Sequence, residues 1–237
     1  MAGALTLDAF ETVRDVFAIS GDEMRTHKGR SVVAVQIDGR THYLKRFWFV
    51  PSQMFKRYVA RGFHEMRMID WLNDSGFAGP KIVRRGHAGV YPFITRLFFL
   101  MEEPPDELAL EAAWRKSPDE ADALLSSLAS FAARLHDAGF IHTDFSERHI
   151  LVRRNASQWT FRLIDLERAA VGRVNDKRAA ADIATLAASI ADEEFRRRIR
   201  TDFLDEYVAK RSAPGGVSPD VDFRSLFANA KPTKSFY

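Results

Sequence analysis

His142-Thr143-Asp144-Phe145-Ser146-Glu147-Arg148-His149-Ile150-Leu151-Val152 is the stretch on which the reading of this chain turns. An aspartate stands two positions after one histidine and five before another, and an apolar run follows directly. Upstream, Leu124, Leu128, Ala132 and Leu135 recur at helical spacing, so Pro118–Ala138 reads as a long helix with one buried face, ended by Gly139. A rigid loop behind such a helix can present Asp144 and His149 to one point. A carboxylate there can take a proton from an attacking hydroxyl, and nitrogen or oxygen donors beside it can hold a cation. A polar surface loop around a buried histidine would be spelled the same way, so a second signal is needed.

Phe161-Arg162-Leu163-Ile164-Asp165-Leu166 supplies it. A carboxylate ends an apolar strand sixteen positions after His149, and Arg154–Ser157 between them reads as a turn. The hairpin returns Asp165 to the side of Asp144. Two acidic groups facing one another suit a magnesium–nucleotide complex, because Mg²⁺ prefers hard oxygen ligands. Together the two segments read as a centre for phosphoryl transfer.

The N-terminal half can be tested against that reading. Ser31–Ile37 and Thr41–Phe47 alternate as strands and flank Asp38-Gly39, a two-residue hairpin signal. Tyr43, Lys45 and Phe47 share one face, so Lys45 can reach phosphates while its stem stays covered. A helix is expected from about Arg57 to Asn73, and in it Glu65 heads the apolar stripe Met68, Ile69 and Leu72. Pro80–Gly86 and Tyr91–Glu102 read as strands. Glu102-Glu103-Pro104-Pro105 reads as a breaker between lobes. Lys177–Ile190 and Asp192–Arg211 read as helices, and Ser212–Asp220 as a Pro/Gly-rich loop with a loosely held tail beyond. The expected fold is α+β and two-lobed. Residues 1–103 would form a small antiparallel sheet with one helix, and residues 104–237 a mostly helical second lobe.

His142, Asp144, His149 and Asp165 in these positions resemble the protein-kinase-like superfamily, with its H-x-D-x-x-x-x-N pattern and its D-F-G aspartate. Within it, histidine at 149 in place of asparagine, and Asp165-Leu166-Glu167-Arg168 after the strand, resemble the lipopolysaccharide core kinases of the Kdo/heptose, WaaP type. The resemblance implies ATP and Mg²⁺ as cofactors and a sugar of the lipopolysaccharide inner core, linked to lipid A, as acceptor. It implies a catalytic group of Asp144 and His142. Lys45, fixed by Glu65, would bind the nucleotide, with Glu102 and Glu103 at the hinge beside the adenine. Asp165 would hold the metal, and His149 would either assist it or orient Asp144. Asp182 resembles the superfamily's helix aspartate that braces the catalytic loop; a helix-end acid is the competing reading. No G-x-G-x-x-G is present, only Gly29 near the expected first turn, and Glu167 replaces the D-F-G glycine. A small-molecule kinase of the aminoglycoside or choline type shares the same core residues. A nucleotide-binding pseudokinase scaffold is the alternative from another class.

Bulk properties agree with an enzyme of this kind. Hydrophobic residues make up 46% of 237, enough for a sizeable core, and there is no cysteine, which excludes disulfides, thiolate metal sites and cysteine nucleophiles. A net charge of +3 is too small to imply nucleic acid as partner. With neither a spanning apolar run nor a signal-peptide pattern, a cytoplasmic protein is expected. Arg196, Arg197, Arg198 and Arg200 read as a solvated helix face, with anionic headgroups of the inner membrane as a second, peripheral reading.

Overall fold

The computed structural model describes residues 5–52, 57–156, 158–211 and 222–232, so Ser212–Asp220 lies outside the described residues. The chain divides into two compact units. One comprises residues up to Asp70 together with Pro80–Pro105; the other comprises Trp71–Gly79 and the chain from Asp106 onward.

The first unit is built on an antiparallel sheet of β1 (Asp22–His27), β2 (Arg30–Ile37), β3 (Arg40–Trp48), β4 (Ile82–Ala88) and β5 (Arg96–Glu102), in the order β1-β2-β3-β5-β4. Asp38 and Gly39 close the β2–β3 turn, both at positive φ, as a two-residue hairpin turn requires. Cross-strand partners share a face, so the register sorts the side chains. Val33, Leu44 and Leu100 line up on one side and Val32, Lys45 and Phe99 on the other.

The face carrying Leu44 is covered by the start of the chain. A 3₁₀ turn, Leu7–Phe10, and α1 (Val13–Ala18), capped by Thr12, press Phe10 and Val16 onto Val33, Val35, Ile37, Phe98 and Leu100. Leu44 is wholly buried there, a burial that stabilises by roughly 1.5–3 kcal/mol. The Arg46 guanidinium donates to the Phe17 and Ile19 carbonyls and pins the end of α1 to the sheet. Burial lowers its pKa.

The opposite face receives α2 (Tyr58–Asp74), and Gly62 permits the approach. A Cβ at that position would lie 2.7 Å from the Leu97 and Phe47 side chains. Gly29 closes the β1–β2 turn at φ +91°, with the ring of Tyr58 where a Cβ would be.

The second unit centres on α4 (Ala121–Asp137), whose Leu124, Leu125, Leu128, Ala132 and Leu135 are buried as the sequence pattern predicts. It also holds β6 (Leu108–Ala109), α3 (Leu110–Lys116), β7 (Phe140–Ile141), β8 (Ile150–Asn155), β9 (Gln158–Leu163) and β10 (Ala170–Val171). The small sheets run β6-β8-β9 and β10-β7. Trp71, at the end of α2, stacks on Phe77 and Phe140, and Phe77 meets Phe131 edge to face. These rings hold Trp71–Gly79 to this unit.

The helical remainder is α5 (Asp176–Ser189), α6 (Glu193–Arg198), α7 (Leu204–Arg211) and α8 (Phe223–Asn229). The single helix expected over Asp192–Arg211 is interrupted by a π-helical turn, Ile199–Phe203. The tail expected to be loose includes α8, whose Phe223 is buried against Tyr207. No helix among the described residues is long and apolar enough to cross a membrane.

Candidate active site

Asp182, on α5, organises the loop that follows β7. Its two carboxylate oxygens accept the backbone N–H groups of His142 at 2.8 Å and Thr143 at 2.9 Å. The carboxylate is 1% exposed, so these bonds form away from water. On its other side lies His136, whose Nε2 is 3.5 Å away and whose Nδ1 is 2.6 Å from the Tyr207 hydroxyl. Burial pushes the Tyr207 hydroxyl pKa upward, keeping it neutral. Asp182 is thus the brace that its likeness suggested, and His136 is a packing and hydrogen-bonding residue. Asp182→Ala would strand the buried His142 amide, at about 1–3 kcal/mol, and the part-buried Thr143 amide at somewhat less. The expected outcome is a loss of roughly 2–5 kcal/mol in urea-unfolding stability; an unchanged midpoint would show that the loop is held by other groups.

The side chain of His142 is fully buried. Its Nε2 lies 3.0 Å from the Ile164 carbonyl, an acceptor only, so Nε2 carries the proton. Nδ1 then accepts the Asp144 N–H at 3.3 Å. Burial lowers the pKa of this ring, with Asp182 opposing, so the neutral form is held. The sequence places His142 with Asp144 as catalytic. With both nitrogens engaged and the ring inaccessible, the geometry gives it a bracing place instead, between the loop and the strand end.

His149 is oriented by similar logic. Its Nδ1 is 2.9 Å from the Asp144 carbonyl and 3.0 Å from Ser146 Oγ. The carbonyl can only accept, so Nδ1 donates, and Nε2 lies 3.7 Å from Asp165 Oδ2. The Ile164 N–H donates to the His149 carbonyl at 3.0 Å, while the Ile164 carbonyl receives the His142 proton. Ile164 is therefore clamped on both sides just before Asp165. Asp165 itself takes the left-handed conformation, φ 57° and ψ 61°, and Thr143 is also at positive φ. Such backbone costs of order 1–3 kcal/mol per residue and persists where surrounding contacts enforce it. Thr143 Oγ1 donates to the Arg168 carbonyl and closes the loop over the turn after Asp165.

Asp144, the centre of the motif, is 6% exposed, and its Oδ1 has no hydrogen-bond partner among the described residues. The nearby His149 Nδ1, at 3.9 Å, is too far to serve. A buried carboxylate oxygen without a donor is costly unless a ligand brings one. Asp144, His149 and Asp165 are thus brought together in the second unit. Among the described residues no three carboxylate or imidazole groups form a cation cage. The Asp165 carboxylate, with His149 Nε2 beside it, suits a hard divalent ion that takes its other ligands from phosphates and water.

In the first unit Lys45 Nζ meets Glu65 Oε1 at 2.6 Å, with side-chain exposures of 16% and 2%. The pairing expected across twenty residues is present. Glu102 bonds Lys81. Glu103 accepts the Tyr43 hydroxyl at 2.6 Å, and burial together with that carboxylate pushes the Tyr43 pKa up to about 12. The backbone N–H groups of Glu102 and Glu103 are engaged by the Lys81 and Thr41 carbonyls. Any bond these two residues make to a base through their backbone must therefore come from their carbonyls. In the arginine cluster, Arg197 pairs with Glu194 and Arg198 with Asp122 and Asp202, which neutralises much of that face.

Comparison with known proteins adds an independent line. The family model described as the lipopolysaccharide kinase (Kdo/WaaP) family matches residues 16–207. The lipopolysaccharide core heptose(I) kinase WaaP of Pseudomonas aeruginosa is 28% identical over 218 residues, covering 84% of this chain and 80% of its own. A solved structure of WaaP in complex with acyl carrier protein superposes with a TM-score of 0.62 at 21% identity. That match covers 91% of this chain and 85% of the other, and shows a shared protein-kinase-like fold.

Proposed function

Because the chain belongs to the lipopolysaccharide kinase (Kdo/WaaP) family of phosphotransferases, we propose that it transfers the terminal phosphoryl group of ATP to a heptose hydroxyl of the lipopolysaccharide inner core. The observation that carries this reading is the buried Asp144 carboxylate, one oxygen of which meets no donor among the described residues. A sugar hydroxyl brings the missing donor. Asp144 would hold that hydroxyl in line and take its proton as the new P–O bond forms. His142 and Asp182 would keep the loop in place, acting through Asp144 rather than on the reactants. Asp165 and His149 would hold Mg²⁺, which when bound with the nucleotide neutralises phosphate charge. Lys45, directed by Glu65, would bind the phosphates, and the carbonyls of Glu102 and Glu103 would face the adenine. Because the acceptor is lipid-linked, the protein would work at a membrane surface.

The test is purified protein with ATP, Mg²⁺ and dephosphorylated core oligosaccharide, read by mass spectrometry with fragmentation. One phosphate gained on heptose is expected. Phosphate on Kdo would move the acceptor, and ATP binding without transfer to any core sugar would favour the scaffold reading.

The Lys45–Glu65 pair makes a separate prediction. Breaking a buried ion pair costs about 3–5 kcal/mol, and the partial exposure of Lys45 places this case at or below the lower end. Lys45→Met should cut turnover strongly, and adding Glu65→Gln should do little more. The double-mutant cycle should show coupling of about 1 kcal/mol or more. Near-neutral, additive single variants would remove the pair from nucleotide binding.

A further inference from the structure

The β4–β5 connection carries side chains that the fold does not use. Val90 is 80% exposed, Tyr91 89% and Phe93 79%. The turn is nonetheless ordered by its own backbone: the Phe93 N–H donates to the Val90 carbonyl and the Thr95 N–H to the Ala88 carbonyl. Phe49, 51% exposed, joins the same edge through its N–H to the Thr95 carbonyl. Four exposed apolar side chains thus gather at one edge of the sheet.

Their surroundings are cationic for a topological reason. In this antiparallel sheet the end of β1, the start of β2, the end of β3, the end of β4 and the start of β5 lie at one end. That end holds His27, Lys28, Arg30 and Arg96. Asp22, Asp38, Glu102 and Glu103 lie at the other. No Asp or Glu occurs between Met24 and Ile37, between Gly39 and His64, or between Pro80 and Met101. In the adjoining hollow of about 550 Å³, Glu23 alone among the lining residues is acidic, beside Arg46 and Arg96.

We propose that this hairpin tip is a membrane anchor: Val90, Tyr91 and Phe93 enter the headgroup–acyl boundary of an anionic bilayer while Lys28, Arg30 and Arg96 contact its phosphates. Aromatic rings with a polar edge favour that boundary, and cations near an anionic surface contribute about 1 kcal/mol each. A tip that protrudes, rather than a flat or concave patch, inserts into a fluid phase without needing a complementary pocket. The arginine cluster on α6 is a weaker candidate, since its carboxylate partners already neutralise much of it. The inference shares with the functional reading only the idea of a lipid-linked acceptor.

The experiment is co-sedimentation of the full chain with phosphatidylethanolamine vesicles containing phosphatidylglycerol, without nucleotide or acceptor, so that loss of binding says nothing about kinase activity. Wild type should bind these vesicles, bind pure phosphatidylcholine at least tenfold less, and weaken with salt. Tyr91→Ser with Phe93→Ser should reduce the bound fraction at least tenfold with an unchanged thermal midpoint, because both rings are exposed. Phe93→Trp should retain binding. Arg96→Gln should weaken binding about fivefold, the loss of one charge near the surface. Absence of wild-type binding would overturn the proposal. So would full binding by the double-serine variant, or loss of binding on Arg196→Gln with Arg200→Gln and not at the tip. Protection of the tip by an acidic carrier protein, with vesicle binding unaffected by tip variants, would assign the surface to a protein partner instead.

Discussion

Asp144→Ala is expected to lower phosphoryl transfer by about 10²–10⁴-fold, to leave ATP affinity nearly unchanged, and to leave the folded state as stable or more so. The three outcomes belong together. A carboxylate that receives the acceptor proton acts in the transition state, so turnover falls while nucleotide binding does not. The same carboxylate has an oxygen that is buried and undonated, and removing such a group relieves a desolvation cost. Steady-state kinetics, ATP titration and thermal unfolding of one purified variant read all three. Wild-type turnover would remove Asp144 from the chemistry. A large drop in the unfolding midpoint would make it a structural residue.

Asp165→Asn is expected to reduce turnover by roughly 10²-fold and to weaken ATP binding in Mg²⁺ far more than metal-free binding. The substitution isolates the charge. Asparagine tolerates the left-handed backbone found at Asp165, so the turn between Ile164 and Leu166 survives. An amide is a poorer ligand for a hard cation than a carboxylate. His149 Nε2 stays beside the substituted side chain, so the local arrangement is kept while the carboxylate charge is lost. Isothermal titration with ATP, with and without Mg²⁺, separates the cases. An equal loss in both conditions would assign Asp165 to holding the hairpin end.

The parts of the fold that could be read in advance have strong local chemistry. Asp38-Gly39 shows its hairpin because two consecutive residues at positive φ demand such a pair. The α4 stripe and the strand ahead of Asp165 show themselves by periodicity. Lys45 and Glu65 were legible as a strand lysine and a helix acid heading an apolar stripe, and the ion pair follows from both facing the same side of the sheet.

The elements missed lacked such signals. β1 is an edge strand exposed at nearly every position, so it shows no alternation. α3 is seven residues long and hides beside the Glu102–Pro105 breaker, fixed by the stacking of Trp114 on Phe195. Tyr91–Thr95, expected as the first part of a strand over Tyr91–Glu102, lies in the turn before β5. His142 could not be told from a reacting group by its spacing. Its role depends on Ile164, twenty-two positions away, meeting one of its nitrogens.

The cover over the Leu44 face has a consequence for the order in which the protein is made. Phe10 and Val16 leave the ribosome before β5, yet the surface they seal includes Phe98 and Leu100 on that strand. Until that strand emerges and docks between β3 and β4, the leading segment has an incomplete platform and its apolar side chains stay wet. The first lobe therefore has a high contact order despite its simple hairpins. Phe10 and Val16 are thus among its last residues to settle, and a nascent chain stalled before Leu100 displays an unsealed sheet, the kind of surface that chaperones bind.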